Sequence, residues 1–175
     1  RSFQQLIPGL YHASLREAFS WMRPDPDFAV IDLYSGTGNS LRYWTEAGSP
    51  TLGIELAGEA VTCARKNVPE AEVLRGKCSE RIPQVEAWAE AQRTSGKKIL
   101  LYANPPRTGI EPPVLDSITT TLRPSRIAYL SCSPGTLSKN LKILCERGYT
   151  VRRIVPFDFF PLTKHVECLA LLDKI

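Results

Sequence analysis

An alternation along the chain limits its fold most. Short runs rich in β-branched and aromatic residues change places with segments whose apolar residues recur at helical spacing. That pattern belongs to an α/β domain on a mostly parallel sheet. The β-rich runs are 28–34, 51–55, 72–74, 98–103, 126–131, 149–155 and 166–172. Between them the sequence predicts helices over 39–47, over a stretch with Ala57, Ala60, Val61 and Ala64 at i, i+3, i+4 and i+7, over 79–93, and over one marked by Leu137, Leu141, Leu144 and Cys145 that stops at Gly148. An opening helix over 8–22 ends before the turn Pro24-Asp25-Pro26. The last two strands are joined by 156–164, too few residues for the crossover that parallel neighbours need, so they should be antiparallel.

Composition fits one soluble domain: 175 residues, 43% hydrophobic, 23% charged and 9% aromatic. Disorder, collagen and tandem repeats are excluded. The longest apolar runs, 99–103 and 169–172, fall far short of the roughly 20 residues of a membrane span, and no charged-then-apolar leader opens the chain, so a cytoplasmic protein is expected. Five cysteines without a Cys-x-x-Cys pair argue against a disulfide framework or a zinc knuckle. No metal is expected, and all but Cys132 read as buried thiols. Lys plus Arg exceed Asp plus Glu by 22 to 18, a net charge of +4 that suits a polyanionic partner such as nucleic acid. The chain begins at Arg1 inside an apolar-aromatic stretch, which suggests a piece of a longer protein. One monomeric domain over 1–175 is expected, with 1–24 as a lead-in.

Four segments carry candidate chemistry. The first strand ends in Asp32-Leu33-Tyr34-Ser35-Gly36-Thr37-Gly38-Asn39, where glycines let the backbone turn tightly and the next helix aims its amides at a ligand. The third glycine of the dinucleotide fingerprint is replaced by Leu41, which disfavours a nicotinamide cofactor. Glu55, about twenty residues beyond the turn, is placed to accept from both hydroxyls of a ribose, or else is a solvated carboxylate. After the fourth strand, Asn104-Pro105-Pro106-Arg107 holds the Asn side chain in a fixed pose, as an amino-group methyltransferase also requires. After the fifth, Cys132 stands between a strand end and a helix start, where it is either a nucleophile or a small apolar filler. Glu167, inside an apolar strand beside His165, is either an edge-strand charge or a buried base. His165 reads as structural.

A mostly parallel sheet with one reversed strand after five βα units is the outline of class I methyltransferases with a Rossmann-like fold. In their order the motifs resemble the catalytic domain of the RNA uracil-5-methyltransferases, which use S-adenosylmethionine to form 5-methyluridine in tRNA and ribosomal RNA. The matching pieces run from Phe3 to the end: Phe3-Gln4-Gln5, Asp32 to Asn39, Gly53-Ile54-Glu55, Asn104 to Arg107, Ser131 to Pro134, and His165-Val166-Glu167. The resemblance implies that Cys132 adds to C6 of uracil and that Glu167 removes the C5 proton. It implies that Gln5, Tyr34, Gly36, Asn39, Glu55 and Asn104 contact the cofactor. Phe3 would stack a flipped base, and Arg107 would lie near the cysteine or the RNA. This chain has Asn104 where the family has Asp, and Ser133 and Ile7 where it has Asn. It has Gly76-Lys77 where an acidic or amide residue follows the third strand. The family usually carries an RNA-binding β-barrel and a further subdomain ahead of this region, and neither is expected in this sequence. Two alternatives stay open: an amino-group methyltransferase using Asn104, and a cofactor- or RNA-binding module without turnover.

Overall fold

The computed structural model describes residues 8–159 and 166–175. Its elements in chain order are α1 (Pro8–Met22), β1 (Phe28–Leu33), α2 (Asn39–Glu46), β2 (Thr51–Glu55), α3 (Gly58–Asn67), β3 (Glu72–Arg75), a 3-10 turn (Cys78–Glu80), α4 (Ile82–Thr94), β4 (Lys98–Ala103), α5 (Pro112–Ser117) running into a π-helical turn (Ile118–Leu122), β5 (Arg126–Ser131), α6 (Pro134–Glu146), β6 (Tyr149–Phe157) and β7 (Glu167–Lys174). The strands form one sheet in the order β3-β2-β1-β4-β5-β7-β6. β1 to β5 are mutually parallel, and β7 runs antiparallel to both β5 and β6. The predicted reversed last strand is therefore present, seated between β5 and β6.

β1, β4 and β5 are buried on both faces, which is why they read as near-continuous apolar runs. Along β4, Leu101 and Ala103 face a core shared with Val85, Ala89, Val114, Leu115, Leu137 and Leu144 of α4, α5 and α6. Leu100 and Tyr102 face the opposite core, against Leu15, Ala18 and Met22 of α1 and Trp44 of α2. Leu41 of α2 packs with Val61 and Ala64 of α3 in a smaller cluster.

Three expectations are corrected. The helix expected over 79–93 is split into the 3-10 turn and α4, whose first turn carries Pro83. A helical segment between β4 and β5 went unread: Pro112-Pro113 and the run Thr119–Thr121 mask it, although Pro is tolerated in a first helical turn. The cysteines are not mostly buried: Cys63 and Cys145 are exposed, Cys132 and Cys168 half-buried, and Cys78 alone of the five is buried. Cys145 follows Leu144 on α6 but turns to solvent. No helix among the described residues is long and apolar enough to cross a membrane.

Candidate active site

Parallel strands deliver their carboxyl ends to one edge of a sheet, where ligands of open α/β folds bind. Along that edge, in the order of the strands, lie Glu55 at the end of β2, the turn 34–39 after β1, Asn104 and Arg107 after β4, and Cys132 after β5. Glu167 joins them because β7 is reversed, so its first residue abuts the last of β5. Five segments far apart in sequence thus form one row. At about 4.8 Å per strand, the ends of β2 and β5 are roughly 14 Å apart.

At the β1 end, Gly36 and Gly38 take positive φ values of 55° and 90°. A Cβ at Gly38 would come within 3.2 Å of Ala64, while one at Gly36 would project into open space. The turn is therefore clamped against α3 and open above Gly36. Tyr34 also has a positive φ, 63°, unusual for a side-chain-bearing residue and a form of strain concentrated at functional sites. Its hydroxyl donates to Glu111 Oε2 at 3.2 Å, and Ser79 donates to Glu111 Oε1 at 2.8 Å. This carboxylate, which the sequence did not single out, ties together the segments after β1, β3 and β4. Glu55 is half-exposed: Gly36 N–H donates to Oε2 at 2.9 Å and Ala57 N–H to Oε1 at 2.8 Å. Backbone donors fix the carboxylate in place with lone pairs left for a ligand's hydroxyls. Asn39 is exposed in the first turn of α2.

Behind the turn, Asp32 is fully buried. Trp44 Nε1 donates to its Oδ2 at 2.8 Å, whereas Oδ1 has no hydrogen-bond partner among the described residues. Burial pushes its carboxyl up to about 7, opposed by Ser40 and Trp44 and aided by the charge of Glu55. Tyr11 of α1 brings its hydroxyl among Ser40, Tyr102 and Asn104, and burial raises its pKa too. The Tyr102 hydroxyl is raised first by burial, then by the charges of Tyr11, Asp32 and Glu167. These polar groups, Asp32 above all, were legible as sequence but not as site members, because only the tertiary fold buries them together.

At the β5 end, Asn104 is half-buried and Arg107 exposed. The last registered pair of β5 and β7 is Ser131 with Cys168, so Cys132, the residue after β5, and Glu167, the first residue of β7, lie at the same end of this strand pair. Glu167 is 3% exposed in an interior strand, which removes the reading of an edge-strand charge. Alternation along β7 continues the row of Leu169, so Glu167 extends the face carrying Tyr102, whose hydroxyl feels its charge. Ser131 Oγ receives the N–H of Ser133 at 3.2 Å, and Ser133 and Thr136 hydroxyls lie 3.0 Å apart, closing the turn from Cys132 into α6. Phe3, Gln5 and His165 lie outside the described residues. Among the described residues no cluster of three or more His, Cys, Asp or Glu is placed to hold a metal ion.

The arrangement offers a glycine turn and a backbone-fixed carboxylate on one half of the edge, with a half-buried thiol and a buried carboxylate on the other. The family model for tRNA (uracil-5-)-methyltransferase matches residues 18–175. The chain is 31% identical over 177 residues to an uncharacterized RNA methyltransferase of Listeria monocytogenes, covering 98% of this chain and 38% of that protein. It is 33% identical over 184 residues to one of Clostridium acetobutylicum, covering 100% and 38%. Among solved structures, the tRNA (uracil-54, C5)-methyltransferase of Pyrococcus abyssi in complex with S-adenosyl-L-homocysteine superposes with a TM-score of 0.77 at 25% identity, over 98% of this chain and 40% of that one. The chain thus spans about two fifths of the length of these relatives. Its seven-stranded mixed sheet and its sequence place it in the tRNA (uracil-5-)-methyltransferase family.

Proposed function

We propose that this chain is a catalytic domain that transfers a methyl group from S-adenosylmethionine to C5 of a uridine in tRNA or ribosomal RNA, by way of a covalent adduct at C6. The observation that carries the reading is that Cys132 and a buried Glu167 stand at the same end of the β5–β7 pair, at the carboxyl edge of β5. An amino-group methyltransferase would need Asn104 but not that pair.

The residues present fit the cofactor: the open cradle at Gly36, the backbone-fixed carboxylate of Glu55 and the orphaned buried oxygen of Asp32 suit a ligand with vicinal hydroxyls and a positive charge. Glu55 would hold the ribose, and Tyr34, Gly36, Asn39, Asn104 and Gln5 would hold the remainder. When bound, the cofactor supplies an electrophilic methyl group on a sulfonium. C5 of uracil is a weak nucleophile, so the work of this chain is to activate it. The Cys132 thiolate adds to C6; the C5=C6 pair moves into an enolate at O4, and C5 gains the electron density to take the methyl group. Glu167 then accepts the proton from C5, the C5=C6 bond re-forms, and the Cys132 sulfur leaves with its electrons. The target atoms are hidden in a stacked helix, so the base must flip out, and Phe3 would stack it while Arg107 would meet the RNA backbone.

The test is incubation with labelled S-adenosylmethionine and transcribed tRNA or ribosomal RNA, followed by digestion to nucleosides. The expected product is 5-methyluridine, lost in Cys132→Ala. Glu167→Gln should form a protein–RNA adduct but release product about 10²-fold or more slowly. Methylation of an exocyclic amine, or turnover undiminished in Cys132→Ala, would overturn the proposal.

A further inference from the structure

The loop from Asn104 to Glu111 lies between the two halves of the site and is anchored at two points. At its start, Asn104 N–H donates to Leu33 O of β1 at 3.3 Å. At its end, Ile110 N–H donates to Oδ1 of Asn140 at 3.0 Å. The same oxygen accepts the Tyr129 hydroxyl at 2.8 Å. Burial pushes that hydroxyl up to about 12, so it remains a donor at working pH. Asn140 is 7% exposed on α6, eight residues after Cys132, and Tyr129 lies on β5, three residues before it. One side-chain oxygen therefore fastens the loop to both segments that flank the cysteine. Between the anchors, Gly109 N–H closes a turn onto Pro106 O at 2.8 Å. Gly109 has φ 81°, and a Cβ there would come within 2.5 Å of Thr136 Cγ2 and 2.6 Å of Asn140 Oδ1. Loop and helix touch so closely that only glycine fits.

We propose that Asn140 is a positioning residue: its Oδ1 fixes the Arg107 loop against the Cys132 turn and so sets the gap in which the target base is held. The inference rests on the function proposed above. Both donors require an acceptor, so Asp at this position keeps the clasp and Leu, of similar size, removes it. Misplacing a reacting group by about an ångström costs up to about 10²-fold in rate. The β1 anchor holds Asn104 independently, so cofactor affinity should be spared.

The experiment compares wild type with Asn140→Leu, Asn140→Asp and Tyr129→Phe. It reads the rate of covalent adduct formation with 5-fluorouridine RNA, S-adenosylhomocysteine affinity, amide exchange at Ile110 and alkylation of Cys132 by iodoacetamide. Asn140→Leu should slow adduct formation by about tenfold or more, leave S-adenosylhomocysteine affinity within about twofold, unprotect Ile110 and speed alkylation. Asn140→Asp should behave as wild type, and Tyr129→Phe should fall between. If Asn140→Leu unprotects Ile110 yet reacts at the wild-type rate, or if Asn140→Asp is as impaired as Asn140→Leu, the inference is overturned. Should wild type itself form no adduct, the proposed function fails; alkylation of Cys132 then decides the clasp alone, an unchanged rate in Asn140→Leu counting against it.

Discussion

At the scale of single residues, Asp32 shows what a side chain gives up for its place in a site. Its unfolded pKa lies near 3.9, whereas burial holds the folded carboxyl at about 7. Between these values the folded state binds the proton that the unfolded state releases. The stabilisation from a neutral Asp32 is therefore complete below about pH 4 and is lost as pH rises through 7, at most roughly 4 kcal/mol. Asp32→Asn, which keeps an acceptor for Trp44, should flatten the fall of the melting temperature between pH 5 and 8; an equal slope in the variant would show that other groups set it. Asp32 stood in plain view inside the glycine motif, and Glu55, Asn104 and Cys132 were likewise readable from their places at strand ends. The sequence could not show that Tyr11, twenty-nine positions away from Ser40 and farther from Tyr102 and Asn104, brings its hydroxyl among them. Nor could it choose between an edge charge and a buried base for Glu167, since that depends on which neighbour β7 takes in the sheet.

At the scale of elements, the turns hold the site more tightly than the helices do. Gly38 combines a φ of 90° with an ordinary Cβ's path blocked at 3.2 Å by Ala64 of α3. Gly38→Ala should therefore cost about 1–2 kcal/mol from the backbone alone. It should also weaken S-adenosylhomocysteine binding by more than it lowers stability, as isothermal titration beside thermal melting would reveal. Equal binding by the variant would place the cofactor elsewhere. Strands were the most legible elements because burial on both faces writes itself as an unbroken apolar run, as in Ile99 to Ala103. The segment between β4 and β5 was not, because its helix starts on two prolines and continues through three threonines that the π-helical turn accommodates. Threonine hydroxyls there bond back to carbonyls of the preceding turn, Thr119 to Leu115 and Thr120 to Asp116.

At the scale of the whole molecule, sheet order brings five separated segments onto one edge: Glu55, the glycine turn, the Asn104 loop, Cys132 and Glu167. The reversal of β7 is what closes it, since a parallel last strand would carry its first residue to the far edge. In the proposed reaction Cys132 forms a covalent bond with C6 of a uracil during methyl transfer. Fluorine at C5 cannot leave as a proton does, so RNA bearing 5-fluorouridine should trap the methylated adduct after incubation with S-adenosylmethionine. The measurement is the intact mass of the protein after nuclease trimming, with Cys132→Ala beside it. A gain of one methylated fluorouridine nucleotide in wild type and none in the variant is the predicted result; an unmodified wild-type mass, or an adduct that persists in Cys132→Ala, would contradict it.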